Sequence, residues 1–226
     1  NTIILHYTGM VSGEAAEDWL CNPQSEVSSH YLVHEDGRIV QMVRERDRAW
    51  HAGKSFWNGE TDLNSVSVGI EIVNPGHAFG YTDFPARQIN AVIRLCRGII
   101  LRYGVMPDRV LAHSDIAPGR KVDPGEKFPW GKLAAKGIGH FVEPEPLSGG
   151  RFFTLGDEGQ PIEALQAMLA LFGYDMPVTG VFDGQTEKNI KAFQLHFRPE
   201  KIDGVADVST IATLHKLLKA KPFSTA

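Results

Sequence analysis

Cysteine is scarce. The 226 residues hold two, Cys21 in a polar Asn-Pro stretch and Cys96 inside an apolar periodic run. That excludes a disulfide-framed fold, and neither residue is spaced as a metal ligand; Cys96 reads as a small core hydrophobe on a helix. Long apolar runs are missing as well: none approaches the ~20 residues needed to cross a bilayer, so no membrane span is expected. Clustered positive charge is the third absence. With a net charge of -4 and no Lys/Arg stripe, the chain lacks the electrostatic footprint of a nucleic-acid binder. The remaining composition, 42% hydrophobic and 22% charged, is that of an ordinary globular protein, with room for one mid-sized domain and a small one. Because the chain starts at Asn1 directly ahead of a strand pattern, we expect an upstream segment, the place for a signal peptide, to have been left out or processed away.

What is present concentrates in one segment running from His113 through Lys121 and Asp123 to Gly125. Pro118, Gly119, Pro124 and Gly125 punctuate it, which argues for a loop ordered by something other than helix or sheet hydrogen bonds. A second imidazole, His6, stands far upstream in a short apolar strand. Singly, His6 reads as a hydrogen-bonded core histidine and His113 as a strand cap. Together with Asp123 they supply two imidazoles and a carboxylate, three ligands for a zinc ion with a fourth position left for water, the pattern of a hydrolytic rather than a structural site.

The flanking pattern places these residues on a sheet. Thr2 to Tyr7 reads as a buried strand that ends at Thr8-Gly9, leaving His6 near its C-terminal end. Tyr31 to Val43 reads as a hairpin turning at Asp36-Gly37. Val66 to Val73 reads as a central strand with Val66, Val68, Ile70 and Ile72 on one face and Ser67, Gly69, Glu71 and Val73 on the other. A carboxylate in so apolar a strand needs a partner or a task. A helix is expected from a polar cap at Thr82 to a stop at Gly104, and a further strand at Val110 delivers His113 at its end, as the first strand delivers His6.

The Pro/Gly/Ser-rich stretch from Glu143 to Gly150 marks a boundary. We therefore expect a domain over 1–145 and a linker plus small three-helix bundle over 146–226. Within the bundle, Gly180 to Thr186 and Gly204 to Thr210 echo each other, each a turn followed by an Asp N-cap, at Asp183 and Asp207. No catalytic constellation lies there, which leaves a binding module or a structural appendage.

With zinc on His6, His113 and Asp123, water is activated for attack on a carbonyl such as that of an amide. Glu71 would serve as general base and then general acid, and Lys121, two residues before a ligand, would stabilise the developing oxyanion. Four separated motifs, around His6, Trp50-His51-Ala52-Gly53, Val68 to Glu71 and Ala112 to Gly125, resemble in order the zinc N-acetylmuramoyl-L-alanine amidases of the AmpD/AmiD type, relatives of phage T7 lysozyme and the peptidoglycan recognition proteins. The likeness covers residues 1–135. It implies an α/β (α+β) fold with a mixed central sheet flanked by helices, one zinc ion per chain, and hydrolysis of the amide between N-acetylmuramic acid and L-alanine in peptidoglycan or muropeptides. It also implies that His51 lies close to the substrate and Asn74 contacts the cleft.

The C-terminal region is similar to the peptidoglycan-binding bundles attached to wall hydrolases, through Gly156, Leu165-Gln166 and the turn at Asp183. Glu26 and Asp62 fall where the cytosolic recycling members of the family carry arginines for acidic peptide groups. That weighs against strict anhydromuropeptide specificity and for an enzyme acting on intact wall and on released fragments. The periplasm is the expected compartment, with cytoplasmic recycling as the alternative. The rival reading of the whole, a non-catalytic peptidoglycan-recognition protein, would require a lost ligand, and a D-Ala-D-Ala carboxypeptidase would require a ligand spacing that this chain does not have.

Overall fold

The computed structural model describes residues 1–221. Its centre is a five-stranded mixed sheet in the order β3-β2-β4-β1-β5, built from β1 (Thr2–Tyr7), β2 (Tyr31–Val33), β3 (Ile39–Gln41), β4 (Ser67–Ile72) and β5 (Val110–Ala112). Strand β1 runs parallel to both β4 and β5, β2 runs parallel to β4, and only the β2-β3 hairpin is antiparallel. Ile3, Ile4 and Leu5 are fully buried because β1 is central and covered on both faces. The expected alternation in β4 holds: Val68, Ile70 and Ile72 join Ile3 and Leu5 in one core, while Glu71 shares the opposite face with its register partner His6.

The helices are α1 (Gly13–Leu20), α2 (Leu63–Val66), α3 (Ala86–Tyr103), α4 (His113–Ile116), α5 (Trp130–Ala134), α6 (Gln160–Phe172), α7 (Gly184–Phe197) and α8 (Val208–Ala220). None is long and apolar enough to cross a membrane. Helix α3 packs Ile89, Val92, Cys96 and Ile99 against the first core, and its C-cap is Gly104 in the left-handed conformation. It begins at Ala86, not at the expected Thr82. Phe84 precedes Pro85, whose ring disfavours helical geometry in the residue before it, and the Thr82 carbonyl accepts instead from Asn74 Nδ2 at 2.9 Å. Val66 likewise leaves the predicted strand to close the single turn α2. His113 opens the single turn α4, where the sequence suggested a loop.

The bundle of α6, α7 and α8 is a repeat at atomic detail. Gln166 Oε1 accepts from the N–H groups of Thr179 and Gly180, and its Nε2 donates to the Val181 carbonyl and Thr186 Oγ1. Gln194 does the same with Asp203, Gly204, Val205 and Thr210. Each glutamine thus ties a turn to the helix that follows, whose first turn is capped by Asp183 or Asp207 through Thr186 N or Thr210 N at 2.8 Å.

The bundle shares a core with the sheet: Ile4, Leu111, Ile116 and Trp57 pack with Leu165, Leu169, Phe172 and Phe193. At the junction the fully buried Asp115 accepts from Tyr174 OH at 3.0 Å through Oδ1, and from His196 Nδ1 at 2.7 Å and Ala112 N at 2.8 Å through Oδ2. The His196 ring is stacked between Trp130 and Phe197, with centroids 3.7 Å away on each side. Gly173 allows the approach, since a Cβ there would stand 2.6 Å from the Trp57 ring. The irregular stretch before α6 is also held down, by Glu145 N donating to Thr213 Oγ1 at 2.9 Å and Ser209 Oγ donating to the Glu145 carbonyl at 2.6 Å.

Two outcomes follow from this packing. Calorimetry should record one cooperative transition, and His196→Ala should reduce the stability by ~2–4 kcal/mol for a lost buried hydrogen bond and stacked ring; two resolved transitions would mean that sheet and bundle fold independently. Gln166→Ala and Gln194→Ala should destabilise by similar amounts, each about 2 kcal/mol or more because both leave buried turn amides unpaired, as denaturant titration of the two variants would measure.

Candidate active site

His6 lies near the C-terminal end of β1, between two neighbours. On one side is β4, which sets Glu71 directly opposite His6 in parallel register and hence on the same face. On the other is β5, whose chain passes at its end into α4 with His113 as first residue. Asp123 comes from the loop after α4, and that loop is anchored to the helix it leaves: Ser114 N donates to the Asp123 carbonyl at 3.0 Å and Lys121 N to the Ala117 carbonyl at 3.1 Å. Arg120 pins it from outside, its Nη2 donating to the carbonyls of Ala52 and Lys54 at 2.7 Å each.

The three predicted ligands meet. His6 Nδ1 lies 2.9 Å from His113 Nδ1 and 3.2 Å from Asp123 Oδ2, and His113 Nδ1 lies 2.9 Å from the same oxygen. All three residues are buried. Burial, and next the nearby His113, bring His6 down to about 4, past the opposing pull of Asp123, so the ring is neutral at physiological pH, the form in which imidazole ligates. Burial works to raise the Asp123 carboxyl, but His113 and His6 outweigh it by charge and hydrogen bonding and hold it well below the usual carboxylate range.

Glu71 Oε2 is shielded from solvent and has no hydrogen-bond partner. Burial, then the Asp123 charge, push its carboxyl well above the ordinary range, with the Lys121 ammonium opposing them. Lys121 therefore stands near enough to the carboxylates to act on them electrostatically, and it borders the same cleft. His51 is buried beside His6, its Nδ1 3.0 Å from His6 Nε2, and it too borders the cleft. Burial, followed by His6, His30 and His113, lowers its pKa well below that of a free imidazole.

Asn74 is not brought to the cleft. Its Nδ2 is spent on the Thr82 carbonyl and its Oδ1 on Gly76 N, while its backbone carbonyl accepts from Gly9 N at 3.0 Å. It braces the Thr8-Gly9 turn, which does border the cleft. The reason is local: just past β4 the chain must turn, and a side-chain amide is drawn to the backbone groups the turn leaves unpaired.

The cleft has a volume of about 470 Å³, with His6, Glu71, His113 and Asp123 on its floor and Trp19 and Trp50 on its wall. The two tryptophans are 46% and 54% exposed, large aromatic faces open to a ligand. Sequence reasoning did not select Trp19, whose signal was only its place on an amphipathic helix, nor Arg120 within the motif. Asp62 acts at a distance from the floor: it pairs with Arg48 at 2.8 Å, and the Arg48 guanidinium lies 4.2 Å over the Trp50 ring. Glu26 sits in a left-handed turn after the Pro23–Ser25 helical turn, beside an adjoining groove that Trp50 also lines.

Residues 1–126 match the family described as N-acetylmuramoyl-L-alanine amidase, and residues 158–214 match the one described as putative peptidoglycan binding domain. N-acetylmuramoyl-L-alanine amidase AmiD of Escherichia coli (strain K12) is 38% identical over 232 residues, which take in 96% of this chain and 82% of that protein. Among solved structures, the complex of E. coli AmiD with the substrate anhydro-N-acetylmuramic acid-L-Ala-D-gamma-Glu-L-Lys superposes with a TM-score of 0.82 at 39% identity, over 97% of this chain and 88% of that one. AmpDh3 from Pseudomonas aeruginosa in complex with anhydromuramic pentapeptide superposes with a TM-score of 0.80 at 34% identity, over 98% and 92%. A likeness that runs through sheet and bundle alike makes this chain a member of the N-acetylmuramoyl-L-alanine amidase family.

Proposed function

We propose that this amidase is zinc-dependent, with His6, His113 and Asp123 as its metal ligands, Glu71 as its acid-base and Lys121 as its oxyanion stabiliser. The observation that carries the reading is the triangle of donor atoms, 2.9 to 3.2 Å on a side, beside a carboxylate oxygen without a partner. Zinc bonds of ~2.0–2.2 Å to imidazole and carboxylate place neighbouring donors roughly 3.3 Å apart, so the residues fit the ion. Two imidazoles and one carboxylate also suit a borderline metal with an open position. Bound there, zinc would supply Lewis acidity toward water and the carbonyl oxygen, and its charge would offset the rise in the Glu71 carboxyl.

The residues of the chain do the rest. Glu71 accepts a proton from the attacking water and returns it to the departing amide nitrogen, the requirement for expelling an amine rather than an amide anion. Lys121, held by the loop that carries Asp123, places positive charge where the carbonyl oxygen gains negative charge. The bond cut is the amide between the lactyl group of N-acetylmuramic acid and L-alanine, and the relatives complexed with anhydromuramic peptides support a cleft that takes such ligands. Residues 1–145 form the catalytic part and 146–226 the part directed at the wall, acting on intact peptidoglycan and on soluble fragments in the cell envelope. The non-catalytic reading finds no support, since no ligand is missing from the triad.

Glu71→Gln should keep zinc stoichiometry while lowering kcat on a muropeptide by ~10² to 10⁴-fold; unchanged turnover, followed by mass spectrometry of the released stem peptide, would remove Glu71 from the reaction. Treatment with a chelator should abolish release of peptides beginning with L-alanine, and added zinc should restore it. Activity that survives exhaustive chelation would overturn the metal assignment.

A further inference from the structure

We propose that the His51-Ala52 pair is the clamp that orients both histidine ligands, with His51 as a positioning residue for His6. The inference rests on the triad being the metal site. A neutral imidazole has one N–H and one lone pair, so a histidine that offers Nδ1 to a metal must carry its hydrogen on Nε2 and needs an acceptor there. For His113 that acceptor is the Ala52 carbonyl, 3.1 Å from Nε2. For His6 it is the preceding residue: His51 Nδ1 lies 3.0 Å from His6 Nε2.

The direction of the second bond can be read from its far end. Ser67 Oγ donates to the Leu63 carbonyl, and a carbonyl can only accept. The hydroxyl hydrogen is therefore committed, and toward His51 Nε2, 3.3 Å away, Ser67 has only a lone pair to offer. His51 must then carry its hydrogen on Nε2 and present a bare Nδ1 to His6. Leu63 carbonyl, Ser67, His51 and His6 form one chain of fixed polarity whose outcome is a lone pair on His6 Nδ1, facing His113 and Asp123.

The surroundings are shaped to hold this pair. Asn64 Oδ1 accepts from both His51 N at 3.0 Å and Ala52 N at 2.8 Å, which sets ring and carbonyl together. The His51 ring lies against β4 at Gly69, where a Cβ would stand 2.5 Å from His51 Cγ. Edge-on to the ring, His30 is itself locked in place, its Nδ1 accepting from Gly69 N and its Nε2 donating to the Asp47 carbonyl, at 3.0 Å each. A side chain whose task was to follow a substrate would not need its ring seated against the strand and both ring nitrogens paired.

The test is zinc affinity of the full chain, measured by competition with a chromogenic chelator in the absence of substrate. His51→Ala should weaken zinc binding by about 10–100-fold, the usual cost of losing an outer-shell partner, with KM for a muropeptide unchanged at saturating zinc. His51→Asn, whose amide oxygen can replace Nδ1 as acceptor, should recover part of the loss. Ser67→Ala should give a smaller loss in the same direction and decides the matter if His51→Ala does not fold. Wild-type zinc affinity in His51→Ala or in Ser67→Ala, with a raised KM, would overturn the proposal and make His51 a substrate contact. A wild-type chain that binds no zinc would instead sink the metal site itself, and this inference with it.

Discussion

The constraint on which the rest of the molecule depends is the gathering of two imidazoles and an ionised carboxylate in a buried space, their donor atoms within 3.2 Å of one another. Such a cluster is costly, because a buried carboxylate loses its hydration and its protein neighbours only partly replace it. The cost is contained by rigidity on all sides. His6 is fixed by a central strand with neighbours on both edges, His113 by the strand end and the helical turn it opens, and Asp123 by a loop bonded back to that same turn. A divalent cation is the natural complement of this arrangement, and the unpartnered oxygen of Glu71 faces the same need for a proton or a polar ligand.

The sheet separates stability from chemistry by the alternation of its strands. On one face, Ile3, Leu5, Val68, Ile70 and Ile72 pack under α3 and form an apolar core. On the other, the same strands present His6 and Glu71, flanked by Ile4 and Leu111 where the bundle packs. The bundle consequently reaches the chemistry indirectly. Its Tyr174 and His196 hold Asp115, which lies two residues from His113 on the same short turn. A region whose sequence suggests a binding module or a structural appendage thus braces the element that carries His113.

Much of this was legible. The triad, the hairpin, the face that Glu71 occupies and the three-helix character of the C-terminal region all rest on local signals: periodicity, turn residues and the punctuated loop around Lys121 and Asp123. The helix starts at Ala86 rather than at the polar residue Thr82 because Pro85 disfavours helical geometry before it and the Thr82 carbonyl is taken by Asn74. Asn74 was expected at the cleft because it follows Glu71 closely in sequence, whereas its amide is occupied by a turn that sequence alone did not reveal. Tyr174 and His196 give no local signal of their role, because in sequence they look like ordinary core residues and their partner stands on a distant segment.

The sequence by itself determined which residue types were available for catalysis and on which side of each strand or helix they would stand, since these follow from the two- and 3.6-residue periods of the backbone. Only the tertiary structure decided which of them meet: that His51 backs His6, that Asn64 sets the ring and the carbonyl behind both histidines, and that Asp115 is shared between sheet and bundle. Hydrogen-bond partners separated by 12 to 81 residues leave no periodic trace in a single chain, because their geometry is set by packing across elements rather than by the local path of the backbone.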